Sequence, residues 1–497
     1  MVLPLLLAVT LFSTLGTALA LNVFLAGVGI LGGALGRRRG IVREKPKGRW
    51  LDESDSDEDG PSGTPVVAHR AKPPSLVLAE EKPLPTPISR SSSLSSPISR
   101  RRTSPSPDGS FSVDMPDSPT DWSYPPTIKE PVPRNKRRQE VAPAPKPSGH
   151  IPFLSVYRAH MMVMTVLCIL AVDFPVFPRI LGKCESFGTS LMDVGVGSFV
   201  FSLGIVSSRA FNRASGAGAA LKSLRAAVPV LALGLVRLMM VKGAEYPEHV
   251  TEYGVHWNFF FTLGLVPAIS AFLRPLRRLN VKWTTVGLII AVLYQLVLSR
   301  TSLQSFLLSD SRPGLLGENK EGIASLPGYI AIFLIGLSIG EHILRLGDTK
   351  ADSPEEASEK LAKRKTELML ELLGYAAASW LAIWALKWLG VPVSRRFANL
   401  PYVLWTTAYN TSYLAGFLAL ELALFPNGSA DACPPLLEAV NRNGLAVFLL
   451  ANLMTGLVNV SMQTMYASHA TALTVLAAYS AGICAIAWAI RRYRIKI

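Results

Sequence analysis

The residues best placed to do chemistry are Asp173 and Lys183, at the edge of an apolar run that begins near Leu154. A carboxylate moved into hydrocarbon costs roughly 2.5–3.5 kcal/mol on insertion scales, so Asp173 needs a partner or a role. Pro175 and Pro178 each fix φ and remove a backbone donor, which ends the helix and turns the chain. That turn lets Lys183 swing back towards Asp173. One reading makes the pair a topological anchor marking the membrane boundary. The other makes it reactive, because a carboxylate beside an ammonium in a partly dry pocket has a tuned proton affinity. Arg179, Glu185, Thr189, Ser190 and Asp193 surround the pair in sequence and are candidates for holding a polar substrate. The helix that follows carries Gly195, Gly197 and Gly204, a spacing that allows close approach of neighbouring helices or, alternatively, an acyl-chain groove.

A second polar constellation runs from Glu245 to Asn258 and includes His249, Glu252, Tyr253, His256 and Trp257. His249, Glu252 and His256 would share one face of a helix, but Gly254 weakens that helix and no zinc signature fits, so no metal is assigned. A polar vestibule, with aromatic rings stacked on a sugar or belting the interface, fits the residue types better. Arg395 and Arg396, followed by Asn399, suggest a phosphate held by paired hydrogen bonds, with interfacial anchoring as the plainer role. Asn410, Asn452 and Asn459 lie within late apolar spans, where hydrogen bonding between helices accounts for them. The four cysteines have no CxxC spacing, and the seven histidines form no HExxH. No Gly-rich loop followed by Lys-Ser/Thr marks a nucleotide site.

The elements that must position these residues are membrane helices. Of 497 residues 49% are hydrophobic and 17% charged, with the apolar ones gathered into runs of about twenty, the length that crosses a bilayer. The net charge of +15 comes from Lys and Arg lying mostly between those runs, which points to membrane orientation rather than nucleic acid. The fold class is all-α, a polytopic transmembrane bundle of about 11–12 spans. Residues 2–36 carry no charge and would make about 50 Å of helix against a core of about 30 Å, so 1–36 reads as a tight hairpin or a single span. Residues 37–150 hold 20 of the 36 prolines together with Ser-rich and charged runs; too little apolar surface remains to fold, so this is a disordered loop. Basic clusters at 37–39 and 134–138 place it on the cytosolic side.

Residues 151–497 form a ten-span membrane domain, with spans near 154–172, 191–208, 226–243, 256–273, 281–298, 324–343, 368–388, 401–424, 443–461 and 470–490. Threaded alternately from a cytosolic residue 150, the basic segments 209–225, 274–282, 345–365 and 491–496 fall in the cytosol. The segment 425–442 is the weak member, and its sequon Asn427-Gly-Ser429 stays unmodified on that side. Segments 173–190, 242–255, 300–323 and 387–399 then share the lumenal side, so the site opens there.

The runs AVDFPVFPR, ESFGTSLMDVGVGSFVFSLGIVSSRA, EYPEHVTEYGVHWNFFFTLGLVP and VSRRFANLPY resemble the inositol acyltransferases of glycosylphosphatidylinositol assembly, the GPI-anchored wall transfer protein (PIG-W) family. The resemblance covers roughly residues 151–497. It implies an endoplasmic reticulum enzyme that transfers a fatty acyl group from acyl-CoA, palmitoyl-CoA in particular, to the inositol of glucosaminyl-phosphatidylinositol. Acyl-CoA is then a co-substrate, and no cofactor is bound permanently. It also favours the reactive reading, with Asp173 as general base and Lys183 as its partner, supporting it electrostatically or donating to the oxyanion. The chain departs from the family pattern at its start, where a further polar segment and span are expected, and at Ile180, where a second basic residue is expected after Phe-Pro-Arg. Two alternatives stand beside this reading. One is a lipid or solute transporter, against which no inverted repeat is visible; the other is acyl transfer centred on His256 with Asn258.

The alternation of basic segments makes a topology prediction. Tags in the 37–150 loop and at the C-terminus should be cut by protease added from the cytosolic side of sealed microsomes, and one between 310 and 320 should be protected. Protection of the first two with cleavage of the third would invert the assignment.

Overall fold

The computed structural model describes residues 151–213, 218–243, 250–348, 354–425 and 433–495. The expectations for 1–36 and 37–150, for His249, and for the sequon at Asn427 lie outside the described residues. Within them the chain is helical, with no strand. The helices are α1 (Pro152–Ala171), α2 (Val194–Arg213), α3 (Gly218–Gly243), the short α4 (Val250–Tyr253), α5 (Phe259–Ser270), α6 (Trp283–Arg300), the short α7 (Leu303–Leu308) and α8 (Gly314–Glu318), α9 (Lys320–Leu344), α10 (Pro354–Trp388), α11 (Leu400–Leu424), α12 (Pro435–Arg442), α13 (Gly444–Ser461) and α14 (His469–Ala489). A 3-10 stretch, Ala271–Leu279, continues α5.

Among the described residues nine helices are long and apolar enough to cross a membrane, and they match nine of the ten spans read from the sequence. The tenth, α11, is present with 25 residues. Its Tyr402, Trp405, Thr406, Thr407, Tyr409, Asn410 and Thr411 make it less apolar than the other nine. The chain is a multi-pass membrane protein.

Helix ends follow local chemistry. Pro152 opens α1, where its missing N–H costs nothing. The next orphan donor, Phe153 N–H, is accepted by Glu421 Oε2 at 2.8 Å, a carboxylate at the positive end of a helix. Asn258 caps α5, Asn399 caps α11 and Ser468 caps α14, each through a side-chain oxygen accepting backbone N–H groups. The 35-residue α10 is followed at Gly390 by a left-handed turn, φ +78, which a residue without Cβ adopts freely.

Helix α9 is the centre: 78% of its apolar window is buried in protein, against 11% for α3. Water plays no part between helices inside a bilayer, so close packing must hold them together. Helix α9 supplies it with Gly336 and Gly340. A Cβ at Gly336 would meet Phe201 O, one at Gly340 would meet Ile205 O, and one at Gly204 of α2 would meet Phe333 O. The expected close approach at Gly204 is therefore realised, backbone against backbone. Gly287 of α6 meets the other side of α9, where an added Cβ would lie 2.9 Å from Ala331 O. One apolar cluster surrounds α2, α6, α9 and α11; a second is built on α1, α12, α13 and α14. Phe199 of α2, Phe259 and Phe260 of α5 and Phe448 of α13 join them through ring contacts of 5.8–6.2 Å. The exposed Leu235, Val236, Met239 and Met240 of α3 lie on the surface available to lipid.

The three late asparagines divide. Asn410 accepts from Tyr157 Oη at 2.6 Å, a bond between α11 and α1 as expected. Asn452 instead bonds Phe448 O in its own helix, at 2.7 Å, and Asn459 reaches Asp173 Oδ2 at 2.9 Å.

The glycine contacts generate a stability prediction. Gly336→Ala should lower the melting temperature in detergent, because the α2 backbone has to move and overpacking costs about 1–3 kcal/mol. Gly416→Ala, where a Cβ meets nothing, should be neutral or stabilising by up to about 1 kcal/mol of helix propensity. Equal behaviour of the two variants would count against the crossing.

Candidate active site

Segments that the threading put on one side of the membrane do meet at one end of the bundle. The loop after α1 is carried there by Pro175 and Pro178, with a single 3-10 turn at Arg179–Leu181. Met192 N–H donates to Leu181 O at 3.2 Å, folding the loop back on itself before α2 begins. Gly188 N–H donates to Val393 O at 2.8 Å, and Ser394 Oγ donates to Ser186 O at 2.5 Å, tying this loop to the one between α10 and α11.

Within that end, Arg395 is the hub. Its Nε donates to Asp193 Oδ1 at 2.7 Å and its Nη1 to Glu252 Oε1 at 3.2 Å. Lys183 Nζ sits on both oxygens of the same Glu252, at 2.8 and 2.9 Å. Asp193, fully buried, also accepts from Ser190 Oγ at 2.8 Å and from Cys184 N–H at 3.2 Å. The Tyr402 hydroxyl closes the set on Asp193 O at 2.9 Å. Burial alone would raise the Glu252 carboxyl, but Lys183 and Arg395 hold it at about 2, well below the usual carboxylate range. Glu252 therefore stays ionised throughout the neutral range. Its contribution to stability is complete above the ordinary carboxylate pKa and is lost progressively as the pH falls from there through about 2. The Tyr253 hydroxyl lies beside this network, buried and without a hydrogen-bond partner among the described residues.

Arg396 turns the other way. Its Nη2 donates to Leu307 O and to Glu321 Oε1, both at 2.8 Å, and Glu321 is gripped from the opposite side by both terminal nitrogens of Arg312, at 2.7 and 2.9 Å. Lys320 donates to the carbonyls of Phe306, Ser309 and Ser311, neutralising the end of α7.

The expected Asp173–Lys183 ion pair is not what forms. Lys183 is paired with Glu252, because the loop folds towards α4 and Arg395 already draws that carboxylate in. Asp173, half-buried, receives the Asn459 amide on Oδ2, and its other oxygen has no hydrogen bond among the described residues. Burial raises its carboxyl above the usual range, while the Asn459 hydrogen bond, Arg179 and Lys183 pull it back. Arg179 is exposed, donating to Val172 O at 2.8 Å and touching Met465 Sδ at 3.3 Å. The segment 459–466 lines a shallow open concavity here.

Other candidates find internal uses. Arg395 and Arg396, 5% and 7% exposed, have carboxylate partners in place of the suggested phosphate, since a guanidinium buried this deeply requires a counter-charge. Asn399 accepts the N–H groups of Ser394 and Tyr402 and donates to Pro392 O, and Asn258 accepts from Phe260 and Phe261 while donating to Gly234 O. Trp257 donates to Thr262 Oγ1 at 2.9 Å and packs on Gly322, so the vestibule reading gives way to packing for these residues. His256 Nδ1 lies 3.5 Å from the Glu318 carboxylate, at the rim. Glu185 and Thr189 are exposed. Sequence reasoning passed over Glu321, Arg312, Lys320 and Tyr402. Glu321 carried the same signal as Asp173, a carboxylate abutting an apolar run.

A family model described as GWT1 matches residues 120–490, which takes in every site residue named above. The GPI-anchored wall transfer protein 1 of Cryptococcus neoformans var. neoformans serotype D is 45% identical over 553 aligned residues, spanning 100% of this chain and 91% of that protein. The protein of the same name from Aspergillus fumigatus is 44% identical over 374 residues, 70% of this chain and 73% of its own. For that of Saccharomyces cerevisiae the figures are 40% over 366 residues, 70% and 74%. The family model spans the loops that meet around Arg395, and the chain belongs to the GWT1 family of GPI-anchored wall transfer proteins.

Proposed function

We propose that the protein acts in GPI-anchor biosynthesis in the endoplasmic reticulum membrane, as an O-acyltransferase moving a fatty acyl group from acyl-CoA to an inositol hydroxyl of glucosaminyl-phosphatidylinositol. The observation that carries the chemistry is Asp173: a half-buried carboxylate, raised in proton affinity, with one oxygen anchored and the other without a hydrogen bond among the described residues, beside an open concavity. Raised proton affinity makes a carboxylate a better general base than an ordinary one.

A thioester is already activated, so no covalent enzyme intermediate is required. The inositol oxygen attacks the thioester carbonyl as its proton passes to Asp173. A new C–O bond forms, the C–S bond breaks, and the proton leaves with the coenzyme A thiolate. Lys183 spends two of its three N–H donors on Glu252, which leaves one for the developing oxyanion. Glu252 and Arg395 are positioning residues, holding that ammonium at the loop. Arg179, exposed at the edge of the concavity, is the cation available to the phosphate of the acceptor.

The reading centred on His256 loses its second member, because Asn258 Oδ1 caps α5 and its Nδ2 donates to Gly234 O of α3. The transporter reading has no specific observation in its favour.

Turnover by Asp173→Asn should fall by roughly 10²–10⁴-fold with normal protein abundance, measured with labelled acyl-CoA and the glycolipid on purified protein. His256→Ala should stay near wild type. Normal turnover in Asp173→Asn with a dead His256→Ala would move the centre to the histidine.

A further inference from the structure

Asn459 stands near the end of α13, in an apolar span where an amide is costly unless bonded. Asn452, two turns earlier, solves this by donating to the carbonyl four residues back. Asn459 sends its Nδ2 to Asp173 Oδ2 at 2.9 Å instead, and its Oδ1 is buried with no hydrogen-bond partner among the described residues. Rotating the amide would set Oδ1 against a carboxylate oxygen, a repulsive contact, so an ionised Asp173 selects the observed orientation. The same residue begins the segment that lines the concavity. The result is a pair of acceptors on hydrogen-bonded side chains, Asp173 Oδ1 and Asn459 Oδ1, with no hydrogen-bond partner among the described residues.

We propose that Asn459 positions Asp173 and recognises the acceptor: its Nδ2 fixes the carboxylate, and its Oδ1 accepts a hydrogen bond from the hydroxyl adjacent to the one acylated. This rests on Asp173 being the general base. Two acceptors carried by side chains that are hydrogen-bonded to each other match two donors of a vicinal diol. They favour a polyol ring over a simple alcohol, which would leave Asn459 Oδ1 unsatisfied.

The test uses the full-length purified protein, labelled acyl-CoA, and two acceptors: glucosaminyl-phosphatidylinositol and its analogue deoxygenated at the carbon next to the acylated position. Wild type should use the deoxy acceptor roughly ten- to a hundredfold less well in kcat/KM, the effect of one buried unpaired acceptor. Asn459→Ala should lose that preference, raising KM for the natural glycolipid and leaving KM for acyl-CoA unchanged. Its acid limb should also move to higher pH. The charged groups acting on Asp173 are Arg179 and Lys183, both retained in this variant, and only the hydrogen bond favouring the ionised carboxylate is removed. Asn459→Gln should recover part of both effects. A wild-type enzyme indifferent to the missing hydroxyl overturns the proposal without reference to any variant. An Asn459→Ala enzyme that discriminates as wild type does, with an unmoved acid limb, also overturns it while leaving Asp173 as base. An active Asp173→Asn would overturn the underlying reading instead.

Discussion

The guanidinium of Arg395 is a point at which three parts of the chain distant in sequence become one structure. It is buried, and a buried cation without partners costs several kcal/mol, so the loop between α10 and α11 is stable only with Asp193 and Glu252 in place. Those two residues lie just before α2 and in the short α4, so the ion pairs set where the ends of these elements stand. Lys183 comes along as the outer partner of Glu252. Losing Arg395 would strand Asp193, fully buried, without its counter-charge, which is the costly way to break such a network.

This end of the bundle can afford rigid electrostatics because its walls are fixed by another means. The α2–α9 crossing is set by glycines whose missing Cβ atoms let backbones touch, and no side chain has to be ordered to hold it. At the opposite end of α11, Glu421 accepts from Lys365 at 2.6 Å and from the α1 N-terminus, clamping α1, α10 and α11 together. The candidate site thus sits between an ionic lock on its loops and close-packed helices beneath, with the 459–466 segment as its open side.

Two groups of charged residues with different duties share that end. Around Arg395 and Glu321 every carboxylate is satisfied, which is how structural ion networks look. Around Asp173 the satisfaction is incomplete among the described residues: one oxygen is anchored, the other is not, and the amide oxygen of Asn459 has no partner. The proposed role of Asp173 rests on that difference, while Arg395 ties down Glu252, the partner of Lys183.

The amino-acid sequence by itself determined the membrane class, the position of nearly every span, the loops that gather at one end, and the family. Apolar runs of about twenty residues admit only a helix across a bilayer, where backbone groups must satisfy one another, and long motifs such as AVDFPVFPR are specific. It also singled out Asp173, Lys183, Asp193, Glu252 and Arg395, since charges beside apolar runs are too costly to be incidental. Their partners were decided by the tertiary structure alone. Asp173 takes Asn459 from α13, Lys183 takes Glu252, and Arg396 takes Glu321, joining positions separated by tens to hundreds of residues. The same holds for Asn258, Asn399 and Trp257, whose polar types suggested a substrate but which serve as caps and packing. An unpaired charge in a sequence states only that a counter-charge is required; which one supplies it depends on how the helices cross, and that is fixed by three-dimensional packing at residues such as Gly204 and Gly336.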